Sequence, residues 1–440
     1  MLSPLIALLL ASATLPPADD DLRTAISEHY SAHLEQLFVH FHTHPELSLL
    51  ETRTAKRLAS ELREVGVEVT EGVGGTGIVG MLRNGEGPLV LVRADMDGLP
   101  VKEDSGLEYS STATQVNTAG QEVPVMHACG HDVHITSMVG TATQLVQQRE
   151  RWSGTVMFVG QPAEEVISGA RMMLADGLYD RFGVPDYALA FHVSAGEPAG
   201  KVQVRGGPIA SSSDSVDIIV HGIGSHGAAP HRGKDPIYIA SQIVIALQGI
   251  VSREISPLHP AVVTVGAFHS GIKHNIIGDQ AHLQLTVRSN DNETRTALLA
   301  AIERIAHGVA RTAGLPEDKL PDVIFSSTET TPPTVNDHAL ATRIHDLFVR
   351  EMGAERMYTA EPEGMGAEDF AYFVGTPDAV PGCYFMVGGT PQAELDAEEA
   401  GGTPVPSHHS PFFRIDPEPA VVSGVQAMTL AVMELLPSAD

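Results

Sequence analysis

Three histidines, a thiol and a carboxylate fall within the nine residues Met126-His127-Ala128-Cys129-Gly130-His131-Asp132-Val133-His134. Imidazole, thiolate and carboxylate are ligands that Zn, Mn, Co and Ni accept. A glycine between Cys129 and His131 lets the backbone turn so that both side chains reach one metal region. His127 and His134 are weaker candidates, because a single histidine is more often a packing residue than a ligand. The competing reading is a disulfide between Cys129 and Cys383 with unrelated histidines around it, which an oxidising compartment would allow.

A second group, Gln161-Pro162-Ala163-Glu164-Glu165, follows the apolar run Thr155–Val159. At the carboxyl end of a strand, one of two adjacent carboxylates can hold a metal while its neighbour takes a proton from water. A solvated acidic turn is the alternative. His192 closes the apolar run Ala188–Phe191 and reaches the same sheet edge, and His408-His409-Ser410-Pro411 precedes the last apolar helix. Singly each histidine could be a surface residue; together they complete a ligand set.

The elements that must position these groups alternate. Leu22 to Val65 carries apolar residues at helical spacing, broken at His44-Pro45. Strands are expected at Ile78–Leu82, Leu89–Val92, Thr155–Val159 and Ala188–Phe191, with helices at Ile135–Gln148 and Ala170–Leu178, an α/β layered domain. After Gly206-Gly207-Pro208 the order becomes βαββαβ: strands at Val216–Val220, Ala261–Phe268, Ala281–Val287 and Asp322–Phe325, helices at Pro236–Val251 and Asn292–Arg311. This ferredoxin-like unit reads as an insertion at 209–331, dividing a catalytic domain made of 20–208 and 332–440. Helix Ala339–Glu351, strand Cys383–Val387 and helix Ala420–Leu436 complete that domain, and Gln392 to Pro406 reads as a solvated loop. Gly72, Gly74 and Gly77 have dinucleotide-fingerprint spacing, yet a strand follows them where the fingerprint needs a helix, so they read as a turn.

The 440 residues, 43% hydrophobic, suffice for a large core, and the two cysteines are too few for a disulfide framework. With 55 acidic against 27 basic residues the net charge is −28, which opposes nucleic acid or an anionic membrane as partner. Residues 1–13 form a short apolar run ending in Ala11-Ser12-Ala13, a signal-peptide pattern that points to a periplasmic or secreted protein. No later stretch is expected to reach membrane-helix length.

The chain resembles the amidohydrolase branch of the aminoacylase/carboxypeptidase metallopeptidase family, the hippurate hydrolases and indole-acetyl-amino-acid hydrolases. The resemblance runs through His44-Pro45-Glu46-Leu47-Ser48, Arg93-Ala94-Asp95-Met96-Asp97-Gly98-Leu99-Pro100 and Met126–His134. It continues through Gln161–Glu165, Ser225-His226-Gly227-Ala228-Ala229-Pro230-His231, Gly366-Ala367-Glu368-Asp369-Phe370 and His409-Ser410-Pro411. It implies two divalent transition-metal ions held by Cys129, His131, Glu165, His192 and His409, with Cys129 bridging and His409 chosen over His408 because it directly precedes Ser-Pro. Glu164 would be the general base toward a water between the metals, acting on the amide bond of N-acyl-amino acids. The inserted unit would be a lid and dimerisation domain of a homodimer. From it His226 would stabilise the oxyanion, in its own or the partner subunit's site, and Asn275 and Arg288 would hold the substrate's backbone and carboxylate. Asp95 would orient the metal site, and Glu368 lies in a motif near the centre. A dipeptidase or carboxypeptidase on the same scaffold is the close alternative. A non-catalytic periplasmic binding protein is disfavoured, because a binder has no need of Glu164 beside Glu165.

Overall fold

The computed structural model describes residues 20–361, 364–375 and 378–438. The signal-peptide segment 1–13 lies outside the described residues. In chain order the principal elements of the first part are α1 (Asp20–His29), α2 (Glu35–Thr43), α3 (Thr52–Glu64), β1 (Glu68–Val73), β2 (Gly77–Asn84), β3 (Leu89–Asp95), α4 (His131–Gln147), β4 (Gly154–Gln161), β5 (Tyr187–Pro198) and β6 (Val202–Gln203). A second group follows: β7 (Ser213–His221), α5 (Pro236–Gly249), β8 (Ala261–Ser270), β9 (Gln280–Ser289), α6 (Asn292–Thr312) and β10 (Asp322–Thr331). The chain then returns through α7 (His338–Met352), β11 (Gly382–Thr390) and α8 (Pro417–Leu435).

The first and last parts build a seven-stranded mixed sheet of order β1-β2-β4-β3-β5-β11-β6. Its centre, β4-β3-β5-β11, is parallel, and antiparallel strands lie at both edges. Both faces are covered, so the central strands are apolar on alternate sides. Val90, Val92, Val156 and Phe158 pack toward the long helices, while Leu91, Met157 and Val159 pack on the opposite face. Between the sheet and α8 runs α4, buried on every side from His131 to Leu145, which accounts for its apolar, Gly- and Thr-containing sequence.

The second sheet is four-stranded and antiparallel, of order β8-β9-β7-β10, the arrangement a βαββαβ order gives when its two helices cover one face. Val216, Ile218, Val220, Leu283, Leu285 and Val287 pack there against Ile239, Ile243, Leu247, Leu298 and Ile302. The segments entering and leaving this sheet run side by side, Gly207–Ala210 pairing with Thr334–Asn336.

Two expectations need correction. Gln392–Glu399 is a helix, not loop, although none of its residues is buried. Helix-favouring Ala and Glu form it without the apolar stripe that marks a packed helix. The polar edge strand β1 also lacks that signal. Finally, α5 continues through a π-helical turn to Glu254, giving 19 residues of mean hydropathy 1.2, long and apolar enough to cross a membrane. Here its Ile239, Ile243 and Leu247 pack on the second sheet. The glycines before β2 make a turn, with Gly72, Gly74 and Gly75 at positive φ and a strand beyond.

Candidate metal centre

The residues singled out in the sequence come from four segments that meet at the carboxyl ends of the parallel strands. Cys129 and His131 stand at the start of α4, Glu164 and Glu165 follow β4, His192 is on β5, and His409 lies in the loop before α8. Gly130, at φ +85°, makes the turn between Cys129 and His131; a Cβ there would lie 2.3 Å from Val193 Cγ1. Their donor atoms form two triads that share one sulfur: Cys129, His131 and His192, and Cys129, Glu165 and His409. Within each triad the donor atoms lie within 4.8 Å of one another. Cys129 Sγ is 3.4 Å from His192 Nε2, and Glu165 reaches His131 Nε2 at 3.9 Å through one oxygen and His409 Nε2 at 3.4 Å through the other. Both cysteines are free, so the disulfide reading does not hold.

Two of the histidines are presented for ligation. His131 Nδ1 donates to the Asp97 carbonyl at 2.8 Å and His192 Nδ1 to the Val193 carbonyl at 2.6 Å, so each ring turns its Nε2 toward the cluster. His131 Nε2 and Glu165 Oε1 are buried with no hydrogen-bond partner among the described residues. Unpartnered nitrogen and oxygen atoms facing one another in a thiol, imidazole and carboxylate set fit a transition metal, which binds once they lose their protons. His134 and His408 are engaged differently, their Nε2 atoms accepting from the Val193 and Ala195 N–H groups at 2.9 and 3.0 Å. This leaves His409, itself at φ +66°, as the C-terminal member of the cluster.

Electrostatics in the cluster are dominated by carboxylates. Burial, then Glu368, Glu165 and Asp369, holds the Glu164 carboxyl well above its ordinary range. Burial pushes Glu165 up to about 7, with His131 opposing, and burial followed by Glu165 and Glu164 pushes the Cys129 thiol up. His131 is carried to about 10, burial notwithstanding, by Asp95, Asp97 and Glu165. Glu164 belongs to neither Cys129 triad; it is grouped with His131 and Glu165 on one side and with Glu368 and Asp369 on the other.

Behind it stands a buried network that the sequence did not reveal. The Arg93 guanidinium contacts Asp95 at 2.5 Å, Glu368 at 2.7 Å and Asp369 at 3.4 Å, and its Nε donates to Gln161 at 2.8 Å. Glu368 also accepts from the Tyr384 hydroxyl at 2.6 Å and the Phe370 N–H at 2.8 Å. Asp95 bonds His134 and Arg93, whereas the residue that holds His131 is Asp97, which the sequence reading left without a role. Asp97 Oδ2 accepts from the Glu165 N–H at 3.0 Å and from Ser48 at 2.6 Å.

His226, Asn275 and Arg288 are not brought into this cluster. His226 sits in a ribbon, Ser225–His226 against Ile276–Ile277, with Nδ1 accepting from the Ala228 N–H. Asn275 adjoins it, its carbonyl accepting from the Gly227 N–H at 2.8 Å. Arg288 extends from β9 and bonds Thr286. Among the described residues none of the three bonds a member of the metal cluster.

A layered α/β frame with a cysteine-centred pair of triads defines a two-metal hydrolase. Peptidase family M20/M25/M40 matches residues 91–433, and the chain belongs to this family of metal-dependent amidohydrolases and peptidases. Thermostable carboxypeptidase 1 of Saccharolobus solfataricus is 38% identical over 376 residues, covering 84% of this chain and 88% of that protein. The hippurate hydrolase of Campylobacter jejuni is 37% identical over 340 residues, 77% of this chain and 84% of that one. The structure of the Bacillus subtilis YXEP protein, described as a dinuclear metal binding peptidase from the M20 family, aligns with a TM-score of 0.74 at 29% identity. That alignment covers 94% of this chain and all of the other.

Proposed function

We propose that the protein releases amino acids from N-acyl-amino acids, hippurate-like compounds among them. The observation that carries this reading is the shared Cys129 of two ligand triads with an extra carboxylate, Glu164, beside them. Metals held by Cys129, His131 and His192, and by Cys129, Glu165 and His409, would supply Lewis acidity and lower the pKa of water. Glu164 takes the proton from the attacking water and returns it to the leaving amine. Its buried position between Glu165 and the Glu368–Asp369 pair favours the protonated form, so it serves as acid once it has served as base. His226 supplies a donor to the oxyanion, and Asn275 and Arg288 hold the amino-acid backbone and carboxylate. Arg288 lies on the second sheet and His226 and Asn275 at the ribbon, so the three act when that part of the chain closes over the cluster or when a second copy of the chain presents them, and we take a homodimer as the working form. The leader directs the protein to the periplasm or beyond.

A carboxypeptidase on the same scaffold is the second reading, favoured by the name of the Saccharolobus relative. The test is to strip the protein with a chelator, restore Zn, Mn, Co or Ni one at a time, and measure amino-acid release from N-benzoyl and N-acetyl amino acids and from dipeptides. Activity lost with the metal and regained on acylated substrates is the expected result. Release from dipeptides alone would favour the carboxypeptidase, and hydrolysis indifferent to complete metal removal would overturn both readings.

A further inference from the structure

The segments that carry His192 and His409 also wall a cavity of about 350 Å³. Ser194 lines it two residues after His192, Ser407 lines it just before the His408-His409 pair, and Tyr384 comes from the neighbouring strand β11. Two hydrogen bonds tie this wall to residues beside the metal cluster. The N–H of Ala195 holds His408, and the Tyr384 hydroxyl donates to Glu368, the carboxylate grouped with Asp369 and Glu164. The cavity therefore borders the metal cluster along the segments of His192 and His409, and a substrate held at the cluster has it as a neighbour.

The cavity carries one unanswered cation. Arg205 is half-buried in its wall, and its guanidinium makes no hydrogen bond or ion pair among the described residues, although the chain holds 55 acidic residues to 27 basic ones. The buried Tyr358 hydroxyl lies on the same wall, beside Ser194. An arginine fork left without an anion in a partly desolvated site is matched by a carboxylate, which it binds through two parallel hydrogen bonds. Glu197, Glu361 and Glu398 line the cavity as well and outnumber Arg205, so a carboxylate entering it must be held by the arginine itself, against the surrounding field.

We infer that this cavity receives the acyl end of the substrate and that the preferred acyl group ends in a carboxylate, as in N-succinyl- or N-glutaryl-amino acids. The inference rests on the proposed amidohydrolase reading, which places the amino-acid end with Asn275 and Arg288 and leaves the acyl end for the catalytic sheet. Arg205 and Tyr358 are then specificity residues for the same reaction.

The experiment compares kcat/KM of the metal-loaded full chain on the N-glutaryl, N-benzoyl and N-acetyl derivatives of one amino acid, for the parent, Arg205→Met and Tyr358→Phe. One charge-assisted pairing predicts a preference for glutaryl over benzoyl of about tenfold or more in the parent. Arg205→Met should remove it, cutting glutaryl turnover about tenfold while acetyl turnover stays within about twofold, and Tyr358→Phe should cost less, mainly in KM. The acetyl substrate reports whether each variant is folded and loaded. Cleavage of benzoyl and acetyl substrates without a glutaryl preference, or an equal loss on all three substrates in both variants, overturns the inference and leaves the amidohydrolase reading standing. Failure of the metal-loaded parent to cleave any of the three overturns the reading itself, and the inference with it.

Discussion

Replacing Asp97 with alanine should damage both halves of the metal centre at once. Through its carbonyl, 2.8 Å from Nδ1, and its Oδ1, 3.3 Å from the same nitrogen, Asp97 fixes the ring of His131. Through Oδ2 it holds the N–H of Glu165. Burial works against its charge, yet hydrogen bonds from His131 and Ser48 keep the Asp97 carboxyl below its ordinary range. The alanine variant keeps the carbonyl contact but strands the Glu165 N–H and the Ser48 hydroxyl. A buried donor left unpaired costs about 1–3 kcal/mol. Loss of an outer partner of a ligand typically weakens metal binding about 10–100-fold, or about 1.4–2.7 kcal/mol. Competition of the metal-free protein against a chromophoric chelator measures this directly, and kcat at saturating metal shows how much geometry survives. Asp97→Asn keeps an acceptor for Ser48 and Glu165 and should sit between the parent and Asp97→Ala. An Asp97→Ala protein that binds metal as tightly as the parent and turns over at the parental rate would refute the idea that this residue aligns His131 and Glu165.

Other variants separate the roles of neighbouring residues. Glu164→Gln should lower kcat by about 10²–10⁴-fold with metal content intact, whereas Glu165→Gln should lose metal, both read by elemental analysis beside turnover. Gly130→Ala needs positive φ and a Cβ 2.3 Å from Val193 Cγ1, so it should destabilise the fold and weaken metal binding; a thermal melt and a metal count check both. Burial alone would lower the pKa of His42, but Asp132 at 2.7 Å and Glu103 at 3.1 Å carry it to about 9. Because the folded value lies above the unfolded one, this contribution of about 3 kcal/mol is complete below about pH 6.5 and disappears as the pH rises through 9. In urea unfolding, the stability gap between the parent and His42→Gln should therefore narrow between pH 6 and pH 9.5. A gap that stays constant, or widens, would show that His42 is not held charged by these two carboxylates.

What the sequence made legible follows from how each signal arises. The central strands were readable because both faces of the sheet are covered, so Val90–Val92 and Val156–Val159 are apolar without interruption. The edge strand β1 and the helix Gln392–Glu399 bury little and leave no such trace. Within the site, Cys129 and His131 advertised themselves by proximity along the chain. His134 and His408 are as plausible as His131 and His409 on that evidence. What separates them is tertiary: strand β5 offers the N–H of Val193 to His134 and that of Ala195 to His408 across 59 and 213 residues of chain, and each donation occupies a ring nitrogen. Asp97 escaped for a related reason, since its role depends on where the Glu165 backbone comes to lie. Arg93 showed only as the first residue of the Arg93–Pro100 run that carries the resemblance, and its partners Glu368 and Asp369 are 275 and 276 residues away.

The same network explains why a protein would gather so many acids in one dry place. Asp95, Asp97, Glu164, Glu368 and Asp369 are buried residues, and the side chain of Glu165 is almost so. The permanent cation in contact with them, Arg93, pairs with Asp95, Glu368 and Asp369. It answers the half of the cluster that lies behind Glu164, and Glu165, Asp97 and the Cys129 thiol have no lysine or arginine ion pair among the described residues. Burial penalises their charged forms, which is why Glu165 and Cys129 are pushed toward protonation in the protein by itself. Divalent cations reverse that balance, because a thiol and a carboxylic acid ligate only after losing their protons. Arg93 thus fixes one wall of the site with a permanent charge and leaves the opposite wall short of positive charge. Glu164 stands between the two walls, grouped with Glu368 and Asp369 on one side and with Glu165 on the other, where the proposed general base would meet a water activated by metals held there. A group that both accepts and returns a proton within one turnover requires that intermediate position.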